Sequence, residues 1–186
     1  MAEHRMSRPD RRDHLLRTAA EILHTNGANA LTLVTLAERA GVSRPVAYDH
    51  FGTREGLLLA MYQDYDEHLA QAMRAARSRA GSLAEVVTAV CTAYVDGMIA
   101  AGPDCGEVQA ALLGHPETRD FREQSERCYL NELRAALKPF APVAPVVLVG
   151  LFSALDGVAR AAAAGRVPRG KAVAAAVAIV VGVVQG

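Results

Sequence analysis

An all-α protein is predicted by three observations on the 186-residue chain. Apolar residues recur three and four apart through most of its length, and Gly and Pro fall where such runs stop and start. The one run rich in β-branched residues, near the C-terminus, has no hairpin signal and no second strand of matching length to pair with. About nine helices are expected: three forming an N-terminal helix-turn-helix head, residues 1–56, with a fourth from residue 53 leading into a helical body, 57–186.

In "RPDRRDHLLRTAAEILHTNG" Leu15, Leu16, Ala19, Ala20 and Leu23 share a helical face, and Gly27 supplies the stop. Thr32 opens "TLVTLAERAG", in which Leu33, Leu36, Ala37 and Ala40 form one face and Gly41 ends the helix. Only residues 41–43 precede the next start, and so short a connection forces two helices to cross steeply. There Ser43 is the expected N-cap, its side chain accepting from a first-turn N–H, and Pro45 sits where a missing N–H is harmless. Ala47 and Phe51, four apart, face inward with Val42, which leaves Arg44, Val46, Tyr48 and Asp49 mostly outward.

Thr53 caps a longer helix carrying Leu57, Leu58, Met61, Tyr62, Tyr65, Leu69 and Met73, with an end expected at Gly81. "SLAE", residues 82–85, is a capping box for a helix that runs to Gly102 and Pro103. A short helix from Asp104 to about Gly114 follows, and Pro116 opens another that Pro139 stops. Two helices of Ala, Val and Gly, 143–164 and 170–185, complete the chain.

Charge is balanced, with 20 Lys+Arg against 20 Asp+Glu, so any nucleic-acid footprint must be local. Cys91, Cys105 and Cys128 show no CxxC spacing, which points away from a disulfide framework or thiolate zinc site. Cys105, between glycines 102 and 106, is expected in an exposed turn. The N-terminus lacks a signal-peptide core, and the late apolar runs are interrupted or short of a bilayer span, so a cytoplasmic protein without a membrane partner is expected. The six histidines have no metal spacing, no nucleophile elbow or phosphate loop is present, and neither enzyme activity, metal nor cofactor is expected.

The stretch "LTLVTLAERAGVSRPVAYDHFGTREGLLLAMY", residues 31–62, resembles the TetR family of bacterial transcriptional regulators. The resemblance rests on Thr32, Leu36, Ala37, Gly41, Val42, Ser43, Tyr48, His50, Phe51 and "TREGLL", and covers the head. It implies a recognition helix, 43–51, lying in the major groove of double-stranded DNA. Arg44 would then reach a guanine edge, while Pro45 and Val46 would meet a thymine methyl.

By the same resemblance Tyr48, His50, Thr32 and Arg54, where many relatives carry lysine, would contact phosphate. Asp49 should repel the backbone unless it accepts from a cytosine amino group or pairs with a neighbouring Arg. Residues 1–60 hold eight arginines against seven acids, so specificity would rest on placed contacts and dimerisation. Arg5, Arg8, Arg11 and Arg12 resemble the mobile arm that some relatives lay in the minor groove.

The family pattern further implies a homodimer on a near-palindromic operator, released by a small-molecule effector bound in the body. Tyr65, Tyr94, Met98, Phe121, Tyr129 and Phe152 are the candidate pocket, although such residues at helical spacing also build cores. The last two helices would pair with a second copy through Val147, Leu151, Leu155, Val177, Val180, Val181 and Val184; their small residues allow close approach, and burial within one chain is the alternative. The competing functional class is a helical ligand-binding protein whose head no longer binds DNA specifically.

Overall fold

The computed structural model describes residues 6–113 and 119–186, with the side chains of 102–107, 109–111, 113, 119 and 122 set aside. Among the described residues there are eight α-helices and no strand: α1 Arg8–Asn26, α2 Leu33–Ala40, α3 Arg44–Phe51, α4 Arg54–Arg77, α5 Leu83–Leu113, α6 Arg119–Leu137, α7 Pro145–Ala163 and α8 Arg169–Gln185. A single 3-10 turn, Ala28–Ala30, lies between α1 and α2. The β-branched C-terminal run is thus helical, because its Ala172, Ala176 and Val180 recur every four residues on one buried face.

The chain forms two compact units. The first runs to Asp64 and resumes at Asp104; the second takes Tyr65–Pro103 and the chain from Asp120 on. In the first unit Leu15, Leu16, Ala19 and Ile22 of α1, Leu36 and Ala37 of α2, Ala47 and Phe51 of α3, and Leu57 and Leu58 are buried. In the second, a single core takes Leu69 and Met73 of α4, Val86 to Met98 along one face of α5, Tyr129, Leu133 and Leu137 of α6, and the inner faces of α7 and α8.

Capping accounts for the helix boundaries. Ser7 accepts from the Asp10 N–H at 3.3 Å, and Gly27, at φ +76°, ends α1 by bonding back to Leu23. Thr32 and Thr35 form a reciprocal capping box, each hydroxyl accepting from the other's N–H at 3.0 Å. Gly41 ends α2 in the left-handed region, φ +67°, where other residues would be strained. The capping box at α5 forms as the sequence implies, the Glu85 carboxylate accepting from the N–H groups of Gly81 and Ser82. Those bonds hold its pKa below the usual carboxylate range.

Four expectations need correction. Ser43 caps α3 without a side-chain bond: Pro45 has no N–H to offer, and the Val46 N–H goes to the Ser43 carbonyl at 3.0 Å. Helix α4 ends at Arg77 and not at Gly81, the chain turning through Ser78 and Arg79. Helix α5 does not stop at Pro103 but continues as one 31-residue helix to Leu113, absorbing the short helix expected from Asp104. A proline removes one rung of the ladder, and the apolar positions Val108 and Leu112 beyond it are buried, which favours continuation. The backbone of Cys105 is consequently helical, while its side chain, like Pro116, lies outside the described residues.

The segment Leu83–Ala101 in α5 and the helix Pro145–Ala163 are long and apolar enough, by length and composition, to cross a membrane. In this fold each places a face in the second unit's core, α5 through Val87, Val90, Cys91 and Val95 and α7 through Leu148, Leu151 and Leu155. Burial alone pushes the Cys91 thiol up to about 12, so it is unreactive near neutral pH.

Candidate nucleic-acid interface

The helix-turn-helix is seated from below and open above. Ala47 and Phe51 are buried, Val42 is half-buried, and α3 therefore presents Arg44, Pro45, Tyr48 and Asp49 outward, with Val46 and His50 at its flank. Tyr48 is 50% exposed, a large aromatic that the head's own core leaves in solvent. His14 Nε2 lies 3.2 Å from the Ala40 carbonyl, tying the end of α2 to α1.

Two ion pairs order this face. Arg44 Nη2 donates to Glu38 at 3.0 Å across the turn. Asp49 pairs with Arg8 of α1 at 3.3 Å. Both pairs are exposed, and such pairs contribute on the order of 1 kcal/mol or less, so they orient side chains more than they stabilise the fold. Of the two partners open to Asp49 from the sequence, a neighbouring arginine is present. Glu38 escaped sequence reasoning because it lies on the preceding helix, six residues before Arg44.

The basic N-terminus is not an arm where it is described. Arg8, Arg11 and Arg12 lie in the first turns of α1, fixed by the Ser7 cap and by Pro9, whose ring presets a helical backbone angle. Arg5 lies outside the described residues. Met6, Arg8 and Arg11 line one side of a shallow groove whose other side is Pro45, Val46, Asp49 and His50. The Arg12 guanidinium stands 5.7 Å from the centre of the Phe51 ring, a cation–π contact. His50 sits among these charges, and partial burial followed by Arg8 lowers its pKa, against the opposing effect of Asp49.

Thr32 and Arg54 are engaged in the fold. The Thr32 hydroxyl serves the capping box, which leaves the Leu33 and Val34 amides as the first-turn donors at that helix start. Arg54 donates from Nε to the Leu31 carbonyl at 2.9 Å and from Nη2 to the Ala28 carbonyl at 2.7 Å. It braces the loop between α1 and α2.

The residues suggested for a pocket mostly converge in the second unit. Tyr94, Met98, Tyr129 and Phe152 belong to its buried core, Tyr65 packs against it, and Phe121 is half-buried near the start of α6. Of those suggested for an interface between copies, Leu151, Leu155 and Val180 are buried in the chain's own core, the alternative open from the sequence. Val147, Val177, Val181 and Val184 are partly buried against the same core. On α7 and α8 the exposed apolar side chains are instead Val146, Val149, Ile179 and Val183.

Fold and face together define a helix-turn-helix protein with a separate helical body. The family described as "Bacterial regulatory proteins, tetR family" matches residues 15–61, which span α1 from Leu15 on, the helix-turn-helix and the start of α4. Over that stretch the chain is similar to the tetR family. It is 39% identical over 72 residues to the HTH-type transcriptional activator FasR of Mycolicibacterium smegmatis, covering 39% of this chain and 33% of that protein. It is 44% identical over 50 residues to the class C tetracycline repressor protein of Escherichia coli, covering 27% and 23%. The chain thus matches about a third or less of the length of these curated relatives. The structure of the fatty acid degradation regulator FadR from Bacillus halodurans superposes with a TM-score of 0.74, covering 91% of this chain and 94% of that one at 17% identity, a likeness of fold.

Proposed function

We propose that the protein is a homodimeric transcriptional repressor that reads a near-palindromic DNA operator with α3 and is released from it by a small molecule bound in the body. The observation that carries this reading is the outward face of α3. Arg44 and Tyr48 stand outward on a helix whose other side is fixed by Ala47 and Phe51, and His50 lines a groove with Arg8 and Arg11 of α1. Arg44 is placed for a base edge, Tyr48 and the α1 arginines for phosphate. Arg54 acts on DNA indirectly, by holding the loop that leads into α2.

A second copy fits the apolar outer face of α7 and α8. Val146 is 78% exposed there, and a Cβ built on Gly150, Gly157 or Gly182 would meet nothing within 4 Å, so partner helices could approach closely. Two α3 helices would then reach half-sites about 34 Å apart or a multiple of it. An effector that favours a dimer with another spacing releases DNA by at most its differential affinity. Relatives of both signs are known by name, an activator and a repressor; repression is the simpler case, since occupancy of the operator alone suffices.

Footprinting over the promoter beside the protein's own gene tests the reading. A protected, dimer-sized near-palindrome is expected, and the absence of any specific footprint would favour a helical ligand-binding protein with an idle head. Asp49→Asn then probes the interface charge. Freed from its acid, Arg8 should gain phosphate contact, so non-specific affinity rises and the slope of log K against log salt steepens by about 1. An unchanged slope would mean that Asp49 does not restrain Arg8 at the DNA.

A further inference from the structure

The core of the second unit holds more charge than packing requires. Asp66 of α4 is 8% exposed, and among the described residues its carboxylate meets only neutral donors, the hydroxyls of Tyr129 and Ser125. Burial raises its pKa above the usual carboxylate range, with the two hydrogen bonds opposing. A buried carboxylate without a cation is costly, and hydrocarbon of the same volume would serve a plain core better.

The Tyr129 ring leads from that carboxylate into an aromatic cluster. It stacks on Phe152 with centroids 5.8 Å apart, and Tyr94 meets both edge-on, at 5.4 Å and 5.6 Å. The Tyr94 hydroxyl donates to Asp156 at 2.9 Å, but that acid is already matched by Arg160 at 2.7 Å. Among the described residues, Asp66 is therefore the buried carboxylate with no cation beside it. Ring faces attract a cation through their quadrupole and also cover apolar substituents, while a carboxylate neutralises the charge.

The geometry points to a lipophilic organic cation, such as an aromatic ammonium, as the ligand of the body, seated against Asp66, Tyr94, Tyr129 and Phe152. The inference rests on the reading of the body as effector-binding and narrows that effector to a chemical class. The rings now touch one another, so the ligand enters by parting them, with the ring contacts exchanged for cation–π contacts.

Phenyltrimethylammonium and its uncharged isostere tert-butylbenzene, added separately to the full chain, test this by thermal shift and calorimetric titration. The cation is expected to raise the melting temperature by roughly 3–5 °C at ten times its Kd. The isostere should give no shift. Asp66→Asn should abolish the response, while Tyr129→Phe, which keeps ring and carboxylate, should retain it. A shift that survives Asp66→Asn, an equal shift from the isostere, or none from the cation overturns the assignment. Comparing the two probes on the parent chain needs no variant and decides alone if Asp66→Asn does not melt cooperatively. Operator affinity, measured alongside, should fall at least tenfold with the cation bound. Unchanged affinity overturns its role as effector, whereas failure of the ligand-free chain to bind operator overturns the DNA reading and leaves the cation site standing.

Discussion

Gly56→Ala is expected to lower the melting temperature by roughly 5–10 °C, from an overpacking cost of about 2–3 kcal/mol. Between α3 and α4 the Thr53 N–H bonds to the Phe51 carbonyl at 2.7 Å around Gly52, whose φ of +68° and ψ of −61° make a γ-turn that a side chain would strain. The turn folds the Phe51 carbonyl back over the first turn of α4. A Cβ on Gly56 would lie 2.1 Å from that oxygen, a distance no contact tolerates, and the obstacle is backbone rather than the end of a flexible side chain. Relief must come from moving the end of α3 or the start of α4, and Phe51, which seats α3, would move with it.

Thr53→Ala provides the scale for comparison. It removes the hydroxyl that accepts from the Gly56 N–H at 3.0 Å, a cap worth about 1 kcal/mol, without any clash. Circular-dichroism melts should therefore rank Gly56→Ala well below Thr53→Ala, and both below the parent. If Gly56→Ala melts within a degree or two of the parent, the junction yields more easily than the γ-turn allows. Operator affinity should fall in Gly56→Ala even at temperatures where the head is folded, because the recognition helix has lost its seat.

Caps and stops that act locally were legible in the sequence. Thr32, Gly41, Thr53 and the 82–85 capping box each work within a few residues, and each bounds a helix where expected. The proline signal at 103 misled because a single missing rung competes with burial further along α5, and local reading does not weigh the two. On α7 and α8 the failure has a different cause. Both helices are apolar nearly all round, so period alone does not say which stripe is the core, and Leu151, Leu155 and Val180 turn out to be inside. The long-range partners, Arg8 with Asp49 and Arg54 with Leu31 and Ala28, depend on how α1 and the loop after it meet the helix-turn-helix, which no spacing encodes.

Arg44→Ala should cost roughly tenfold to a hundredfold in discrimination at one base pair of each half-site, the worth of about 1–3 kcal/mol that a two-bond contact to guanine supplies. The side chain is well placed for this: it leaves the first turn of α3 and is mostly exposed, while Glu38 holds only its Nη2. A guanidinium has five N–H groups in a planar fork, so donors remain for a base edge even while one is held, and Glu38 reduces the rotamer freedom lost on binding. Tyr48→Ala acts differently. A phosphate contact positions the helix without reading sequence, so affinity should fall by a similar factor on every DNA and the preference between sites should survive. Competition binding against operators altered one base pair at a time separates the two outcomes. If both variants keep the parent's affinity and preference, α3 is not the reading element, and the acid–arginine pairs on its face are ordinary surface pairs.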